Sequence, residues 1–502
     1  DENRAIVYFG LNLQEKYLPH GVKKLIKKID LKLPINTSAI SFKLSPKLNA
    51  PGRMGDASIA YNIFVEHDDK VINENINTLL SLNDDRITQT NNIFDDCLEK
   101  LKNVKVSTLG GIVLWDDNWE GGVLGIICSK LVERYGKPVC LLSLNDQEYK
   151  GSVRSIRSVN VHDTLNEIKD VLIRFGGHSQ AGGLSVKKEN NEVFAKKFNE
   201  TILKNNNINT FIENKKYDLD VPQNLSVKFL QQVDRLEPFG LGNEKPIYKL
   251  DLNNVKVNKL PNFPQHLKIK YNNLDLMAFN YGNLFYNINS ICNKQVLLDL
   301  NVETFKNKQH IKGVVRGFSF SPLTAFKKSE IPKSNYLKQL NFLSVEKPAN
   351  YHYMQVNDSE IFNIINNLTE KSFGTIIATY DFKKYQKAVK LAKNIQNFEL
   401  YNLTDFTGSN TIIFAPDANV DFSAYENVVL LDYPACDGYI YNITNSKVYV
   451  VNEGYNTQFF EEISTDRKVF GLYHNAIKDA IKKGVSATNE FEYFLKIKAL
   501  NP

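Results

Sequence analysis

A hydroxyl and a guanidinium two residues apart, Ser152 and Arg154 in the run Gly151-Ser152-Val153-Arg154-Ser155, are the pair in this sequence best suited to hold phosphate oxygens. In an extended segment, side chains two apart share a face, so both groups can reach one anion. The guanidinium offers it forked, charge-assisted hydrogen bonds. Gly151 in front of them permits close backbone approach to a ligand. Further on, Arg174-Phe175-Gly176-Gly177-His178 is followed by Ala181-Gly182-Gly183. That glycine density is costly unless positive φ or close approach requires it. His178, beside Gly176 and Gly177, is then a candidate to touch a substrate phosphate; a plain turn carrying a core or surface histidine is the competing reading. Arg53, with Asn49 before it, is the second candidate phosphate ligand, against the alternative of a surface arginine in a turn.

Several elements have to position these groups. Residues 1–70 read as mixed helix and loop, with a helix over Val22–Ile29 and a strand over Ala39–Leu44. The run Ser45–Gly55, with two prolines and two glycines, predicts a non-helical loop carrying Arg53. Val71–Asn103 contains no glycine or proline and spaces apolar residues at Ile72, Ile76, Leu79, Ile87, Phe94, Leu98 and Leu101, which predicts one long helix or two joined near Leu82-Asn83. Strands at Gly110–Trp115 and Val139–Leu144 flank a helix over Gly122–Tyr135, the pattern of a parallel pair with a helical crossover. The glycines at 121 and 122 suit an anion at a helix start or, more commonly, close helix packing. His162–Ile173 reads as an amphipathic helix.

From Tyr217 to Ser321 the pattern shifts to five short strands: Lys249–Val257, His266–Tyr271, Asp275–Phe279, Gln295–Phe305 and Ile311–Phe318. This predicts a small β-barrel. His266, Lys268 and Lys270 fall on one face of their strand. That face could track a phosphate backbone while Phe279, Tyr281, Phe285 or Tyr286 stack on bases; a solvated lysine face over a core strand is the alternative. After a polar linker, Lys327–Tyr353, comes a second α/β unit. Strands are expected at Gly374–Thr379, Thr411–Phe414, Asn427–Asp432 and Lys447–Val451, with helices over Lys383–Ile395 and Asp466–Lys483. It has no phosphate-binding loop of NTPase type, so no NTPase is expected.

At 502 residues the chain is too long for one core. Its net charge of +6, spread over that length, is a mild signal for a polyanionic partner. The five cysteines are odd in number and widely spaced, which argues against a disulfide framework and for a reducing compartment. No apolar run is long enough to span a membrane, and the cytoplasm is the expected location.

Four ordered motifs carry a resemblance: Ser45-Pro46-Lys47-Leu48-Asn49-Ala50-Pro51-Gly52-Arg53-Met54, the run Trp119–Leu131, the Gly151–Ser155 and Arg174–Leu184 pair, and Pro238-Phe239-Gly240-Leu241-Gly242-Asn243. Together they resemble the RecJ single-strand-specific exonucleases of the DHH phosphoesterase superfamily, in the form found in Gram-positive bacteria. The family usually has a histidine where this chain has Glu120, and that position is left out of the site.

The resemblance implies an α/β and β multidomain fold. Residues 1–70 would end a DHH catalytic domain and 71–103 form a long connecting helix. Residues 104–210 would be the DHH-associated substrate-binding domain, 211–325 an OB-type barrel and 326–502 a C-terminal α/β domain. It implies 5′-to-3′ digestion of single-stranded DNA in repair and recombination, with single-strand-binding protein and a RecQ-type helicase as further partners. It also implies Mn2+ or Mg2+ as cofactor. No Asp-His-His run occurs, and His67-Asp68-Asp69 reads as a surface loop. The metal ligands are therefore expected outside this chain, N-terminal to Asp1, leaving the chain inactive alone. By the same resemblance Arg53, Asn49, Ser152, Arg154, Gly176 and Gly177 contact substrate, His178 faces the scissile phosphate, and His266, Lys268 and Lys270 track the strand. A non-catalytic single-strand-binding protein, or a DHH-type phosphodiesterase acting on small nucleotides, are the alternatives.

Overall fold

The computed structural model describes residues 2–452 apart from short stretches, the longest being 212–215, 394–399 and 402–409, and describes little beyond 454. The helix expected over Asp466–Lys483 lies outside the described residues. The chain divides into two compact units. The first comprises Asp1–Lys249 with 298–313, the second Leu250–Leu297 with 314–502.

The first unit opens with helices. His20–Lys28 buries Val22, Leu25 and Ile26, and Gly21 is required there because a Cβ would lie 2.2 Å from the Ile63 carbonyl oxygen. Two expectations fail next. Ala39–Leu44 is no strand: Thr37–Ala39 is helical and Ile40–Leu44 forms a π-turn that runs directly into a helix over Ser45–Met54. The predicted loop is thus a helix whose last turn carries Arg53. Pro46 sits in its first turn, directly after the π-turn. Pro51 forfeits one ladder bond inside the helix. The buried Leu44, with Leu48 packed beside it, ties this segment into the core of Leu25, Ile63, Ile72, Ile76 and Leu79. Each such side chain contributes roughly 1.5–3 kcal/mol, enough to offset a missing hydrogen bond of about 1 kcal/mol.

Asp69–Leu101 is one uninterrupted helix. Asp68 caps it, its carboxylate accepting from the Lys70 and Val71 N–H groups at 2.7 and 3.2 Å. Asp69 pairs with Lys24 at 2.8 Å and His20 at 2.6 Å, so His67-Asp68-Asp69 serves helix capping and surface pairing. The buried positions are Ile72, Ile76, Leu79, Asn83, Thr90, Ile93, Cys97 and Leu101, whereas Ile87 is exposed. The inward stripe is therefore apolar at both ends and polar in the middle. Its C-terminal end joins a second core with Trp119, Val123, Ile127 and Leu131.

Five strands follow: β1 (Ile112–Asp116), β2 (Val139–Asn145), β3 (Glu148–Arg154), β4 (Arg174–His178) and β5 (Ala181–Lys187). Their order is β1-β2-β3-β5-β4. Only β1 and β2 are parallel, joined by the helix Leu124–Tyr135; the other pairs are antiparallel. One face, through Tyr149, Val153, Leu184 and Val186, packs on Leu165, Phe194 and Phe198 of helices Val161–Glu167 and Asn191–Asn205. The amphipathic segment is shorter than expected: its α-helix ends at Glu167, and Lys169–Val171 continues only as a 3₁₀ turn.

In the second unit, strands Lys256–Leu260, Phe263–Tyr271 and Leu274–Ala278 form an antiparallel meander. The single strand expected over Lys249–Val257 is two, Tyr248–Asp251 and Lys256–Leu260. A separate parallel sheet runs in the order Met354–Val356, Lys447–Val451, Asn427–Leu430, Thr375–Thr379, Thr411–Phe414. The predicted linker is not loose. It contains a helix over Ile331–Leu337 whose Tyr336 is fully buried and donates to the Tyr433 carbonyl. Asn335 donates to the Ala415 carbonyl, and Lys338 pairs with Asp417 at 2.8 Å. These contacts fall at the carboxyl ends of the strands, where open α/β sheets take ligands. Asp432 there is buried, accepts from Thr379 Oγ1 at 2.7 Å, and has its carboxyl pushed up by desolvation.

Candidate phosphate-binding site

The sheet register in the first unit decides which side chains share a surface. Ser152 lies opposite Gly183 and Gly183 opposite Gly176; Arg154 lies opposite Ala181 and Ala181 opposite His178. Directly paired residues project to the same face. Ser152, Arg154, Gly176 and His178 therefore line one side of the sheet, with only Ala181 and Gly183 between them. β3 and β4 stand two strand spacings apart, about 10 Å. The result is a shallow floor of small residues with Ser152 and Arg154 along one border and His178 along the other. Nothing lies within 4 Å of where a Cβ at Gly176 would sit, so any side chain there would project over that floor. Gly177 has a different reason: its φ is +145°, and a Cβ would lie 2.3 Å from the Ala181 carbonyl oxygen.

The helix Leu124–Tyr135 covers the β2 side of the same face. A Cβ on Gly125 would stand 2.9 Å from Arg154 Nη2 and 3.7 Å from Ser152 Oγ, so both groups lie against the first turn of this helix. At Gly122 a Cβ would lie 2.0 Å from the backbone oxygen of Arg53, and Arg53 Nη1 donates to the Gly122 carbonyl at 3.3 Å. One helical turn, from Gly122 to Gly125, is thus flanked by Arg53 and by Arg154. Close packing accounts for Gly122. Glu120 caps the preceding 3₁₀ turn, its carboxylate 3.5 Å from the Gly122 N–H. Asn49 is exposed and sits one turn before Arg53 on the same helix.

Among the described residues, Arg154 donates only to the carbonyl of its neighbour Val153, at 2.8 Å. A positive group held by one neutral oxygen retains donors for an anion. Gly125→Ala is accordingly expected to displace the Arg154 guanidinium, the far end of a flexible side chain. Affinity for single-stranded DNA should fall roughly three- to tenfold, with stability unchanged or raised by about 0.5–1 kcal/mol from helix propensity. Titration and thermal unfolding of the variant check this; unaltered affinity would contradict the placement of Arg154.

Residues outside the initial set share this face. Lys150 and Arg174 both lie opposite Ser185, and Arg174 Nε donates to Ser185 Oγ at 3.2 Å. Arg86 lies apart from this face, on the polar middle of the long helix, where burial and the charge of Arg53 lower its pKa. The alternation of β3 and β4 carried the signal for Lys150 and Arg174.

His266, Lys268 and Lys270 belong to the second unit. Lys268 and Lys270 are exposed on the face opposite the buried Leu267 and Ile269. The His266 ring stacks with Phe263 at 6.2 Å between centroids and meets Phe279 edge-on at 5.3 Å. Phe263 and Phe279 are about half exposed, which makes an aromatic surface beside the lysines. Phe263 was absent from the sequence-based set. Tyr281 is removed from it: the side chain is buried against Phe318, and desolvation pushes its hydroxyl up to about 12. Phe285 and Tyr286 are half-buried, with Lys259 Nζ 5.4 and 5.6 Å from their ring centroids.

Among the described residues, no group of three or more His, Cys, Asp or Glu side chains is placed to hold a metal ion. Among the same residues, no helix is long and apolar enough to cross a membrane.

Comparison with known proteins gives these surfaces a context. Residues 102–204 match the DHHA1 domain and residues 217–317 the RecJ OB domain. The single-stranded-DNA-specific exonuclease RecJ of Bacillus subtilis is 29% identical over 336 residues, covering 65% of this chain and 42% of that protein. RecJ of Salmonella typhimurium is 30% identical over 211 residues, covering 40% and 36%. The matched segments thus cover less than half the length of these relatives. The crystal structure of Thermus thermophilus RecJ with Mg2+ aligns over 96% of this chain and 67% of that one, with a TM-score of 0.50 and 17% identity, a likeness of fold alone.

Proposed function

We propose that this chain, a member of the RecJ family through its DHHA1 and RecJ OB domains, is the strand-gripping portion of a single-stranded-DNA-specific exonuclease. The observation that carries the reading is the convergence of Arg53, Ser152 and Arg154 on one helical turn, beside a glycine floor that leads to His178. A terminal phosphate seated by the serine and the two arginines would lay the first nucleotide across Gly183 and Gly176. The next phosphate would then reach His178, whose imidazole donates a hydrogen bond to a phosphoryl oxygen as charge builds there. His266, Lys268 and Lys270, with Phe263 and Phe279, offer a second surface on which unpaired bases stack and phosphates pair. We assign residues 1–70, 71–103, 104–210, 211–325 and 326–502 as the successive domains.

Digestion runs 5′ to 3′ in this reading, as the resemblance to the RecJ family implies. The divalent metal comes from a metal-binding module outside these residues, since the chain has no Asp-His-His run. The test is product analysis with Mn2+ or Mg2+ present. The chain alone binds single strands and leaves them intact, whereas a RecJ-length polypeptide containing it shortens them from the 5′ end and spares duplex. Hydrolysis by the 502 residues alone, or shortening from the 3′ end, would overturn the proposal.

A further inference from the structure

The glycine floor continues beyond Gly183 as a trough. On this face the central strand β5 presents the small residues Ala181, Gly183 and Ser185 between the walls formed by β3 and β4. The walls stand about 10 Å apart, and successive rows across the trough are ~7 Å apart. One row beyond Ser152 and Gly176 come Lys150 and Arg174, both opposite Ser185. The two cations are exposed, whereas Ser185 between them is buried. Arg174 Nε donates to Ser185 Oγ at 3.2 Å, which ties the guanidinium to the trough floor. Its two Nη groups, the edge that grips two oxygens at once, remain for a ligand. Among the described residues neither Lys150 nor Arg174 pairs with a carboxylate, unlike Lys100, Lys188 and Lys197 of the same unit, which hold Asp116, Asp117 and Asp170. In the next row Glu148 lies opposite Lys187, so the positive run ends at Lys150 and Arg174.

We infer that Lys150 and Arg174 form a second subsite, for a phosphodiester inside the strand, and that this subsite selects a strand over a dinucleotide. This rests on the strand-gripping reading above. With the terminal phosphate at Arg154 and the next at His178, Arg174 stands two rows, ~14 Å, further along the trough. A 5′-phosphorylated dinucleotide carries no phosphate beyond the first two. A longer strand follows the trough and delivers an internal phosphate to the fork. That phosphate carries a single charge. Arg174 binds it through two oxygens, and Lys150 answers it as a point charge from the opposite wall.

The test is a length series of 5′-phosphorylated oligothymidylates, from the dinucleotide to the octanucleotide, titrated without metal. The proteins are the unaltered chain, the double variant Lys150→Gln with Arg174→Gln, and Arg174→Lys, each checked by thermal unfolding. Glutamine at 174 keeps a donor for Ser185 and removes the charge. The unaltered chain is expected to bind the octanucleotide at least tenfold more tightly than the dinucleotide. In the double variant that ratio should fall roughly five- to tenfold, and the log-log salt slope for the octanucleotide should drop by about 0.7, the value of one phosphate contact. Arg174→Lys should keep the slope and recover part of the ratio, because it retains the charge and loses the fork. An unchanged ratio and slope in the double variant, or an equal loss for dinucleotide and octanucleotide, would overturn this inference alone. If Arg154→Ala leaves the affinity for both lengths unchanged, the strand-gripping reading falls and takes this inference with it.

Discussion

Arg154→Ala is expected to weaken binding of single-stranded DNA by roughly 10- to 100-fold, the equivalent of losing 1.5–3 kcal/mol of charge-assisted hydrogen bonding. The side chain touches little that holds the fold together. Its guanidinium donates to the carbonyl of Val153 and rests near Gly125, while the strand beneath it is anchored from the opposite face by Tyr149 and Val153. Stability should therefore change by less than about 1 kcal/mol. In a hydrolysing RecJ-length polypeptide the loss should appear mainly in KM, because a seated terminal phosphate is held equally in ground and transition states. Arg154→Lys should recover only part of the affinity, since an ammonium cannot reproduce the fork. Equilibrium titration alongside thermal unfolding decides the matter; an unchanged Kd would remove Arg154 from the site.

His178→Ala should act on the other kinetic parameter. The residue is exposed at the end of the edge strand β4, across the glycine floor from Arg154, where it can meet the phosphate next to the anchored one. Removing a donor aimed at developing charge costs about 10²- to 10³-fold in turnover. A RecJ-length polypeptide carrying His178→Ala should lose kcat to that extent while its affinity for single strands falls less than about threefold. A change confined to KM would mean that His178 grips the strand and takes no part in the chemistry. A fully active variant would remove it from the site.

How much of this was legible beforehand depends on the physical origin of each feature. Ser152 and Arg154 could be paired from sequence because a strand alternates faces whatever packs on it, and β3 obeys that rule. The crossover from Ile112 through Leu124–Tyr135 to Val139 was legible for the same reason: its apolar stripe and closing Gly136 are local. The helix Ser45–Met54 was not, because two prolines and two glycines argue locally against it and the contacts that override them, Leu44 and Leu48 against Ile63 and Ile72, are distant in sequence. Likewise Ile87 fitted the helical stripe and Arg86 did not, yet the structure exposes Ile87 and turns Asn83 and Thr90 inward. Tyr281 and Phe263 exchanged places as candidate stacking residues because an aromatic residue at a strand end gives no local sign of whether it faces Phe318 or solvent.

The central claim is that Arg53, Ser152 and Arg154 form one pocket for the phosphorylated end of an unpaired strand. The most direct measurement is binding of a 5′-phosphorylated single strand, the same strand with a 5′-hydroxyl, and the corresponding duplex, over a range of salt concentrations. The expected result is tightest binding of the phosphorylated single strand, a log-log salt slope of several units at about 0.7 per phosphate contact, and loss of the 5′-phosphate preference in Arg53→Ala, Ser152→Ala and Arg154→Ala alike. Equal affinity for both ends, or a preference that survives all three substitutions, would contradict it.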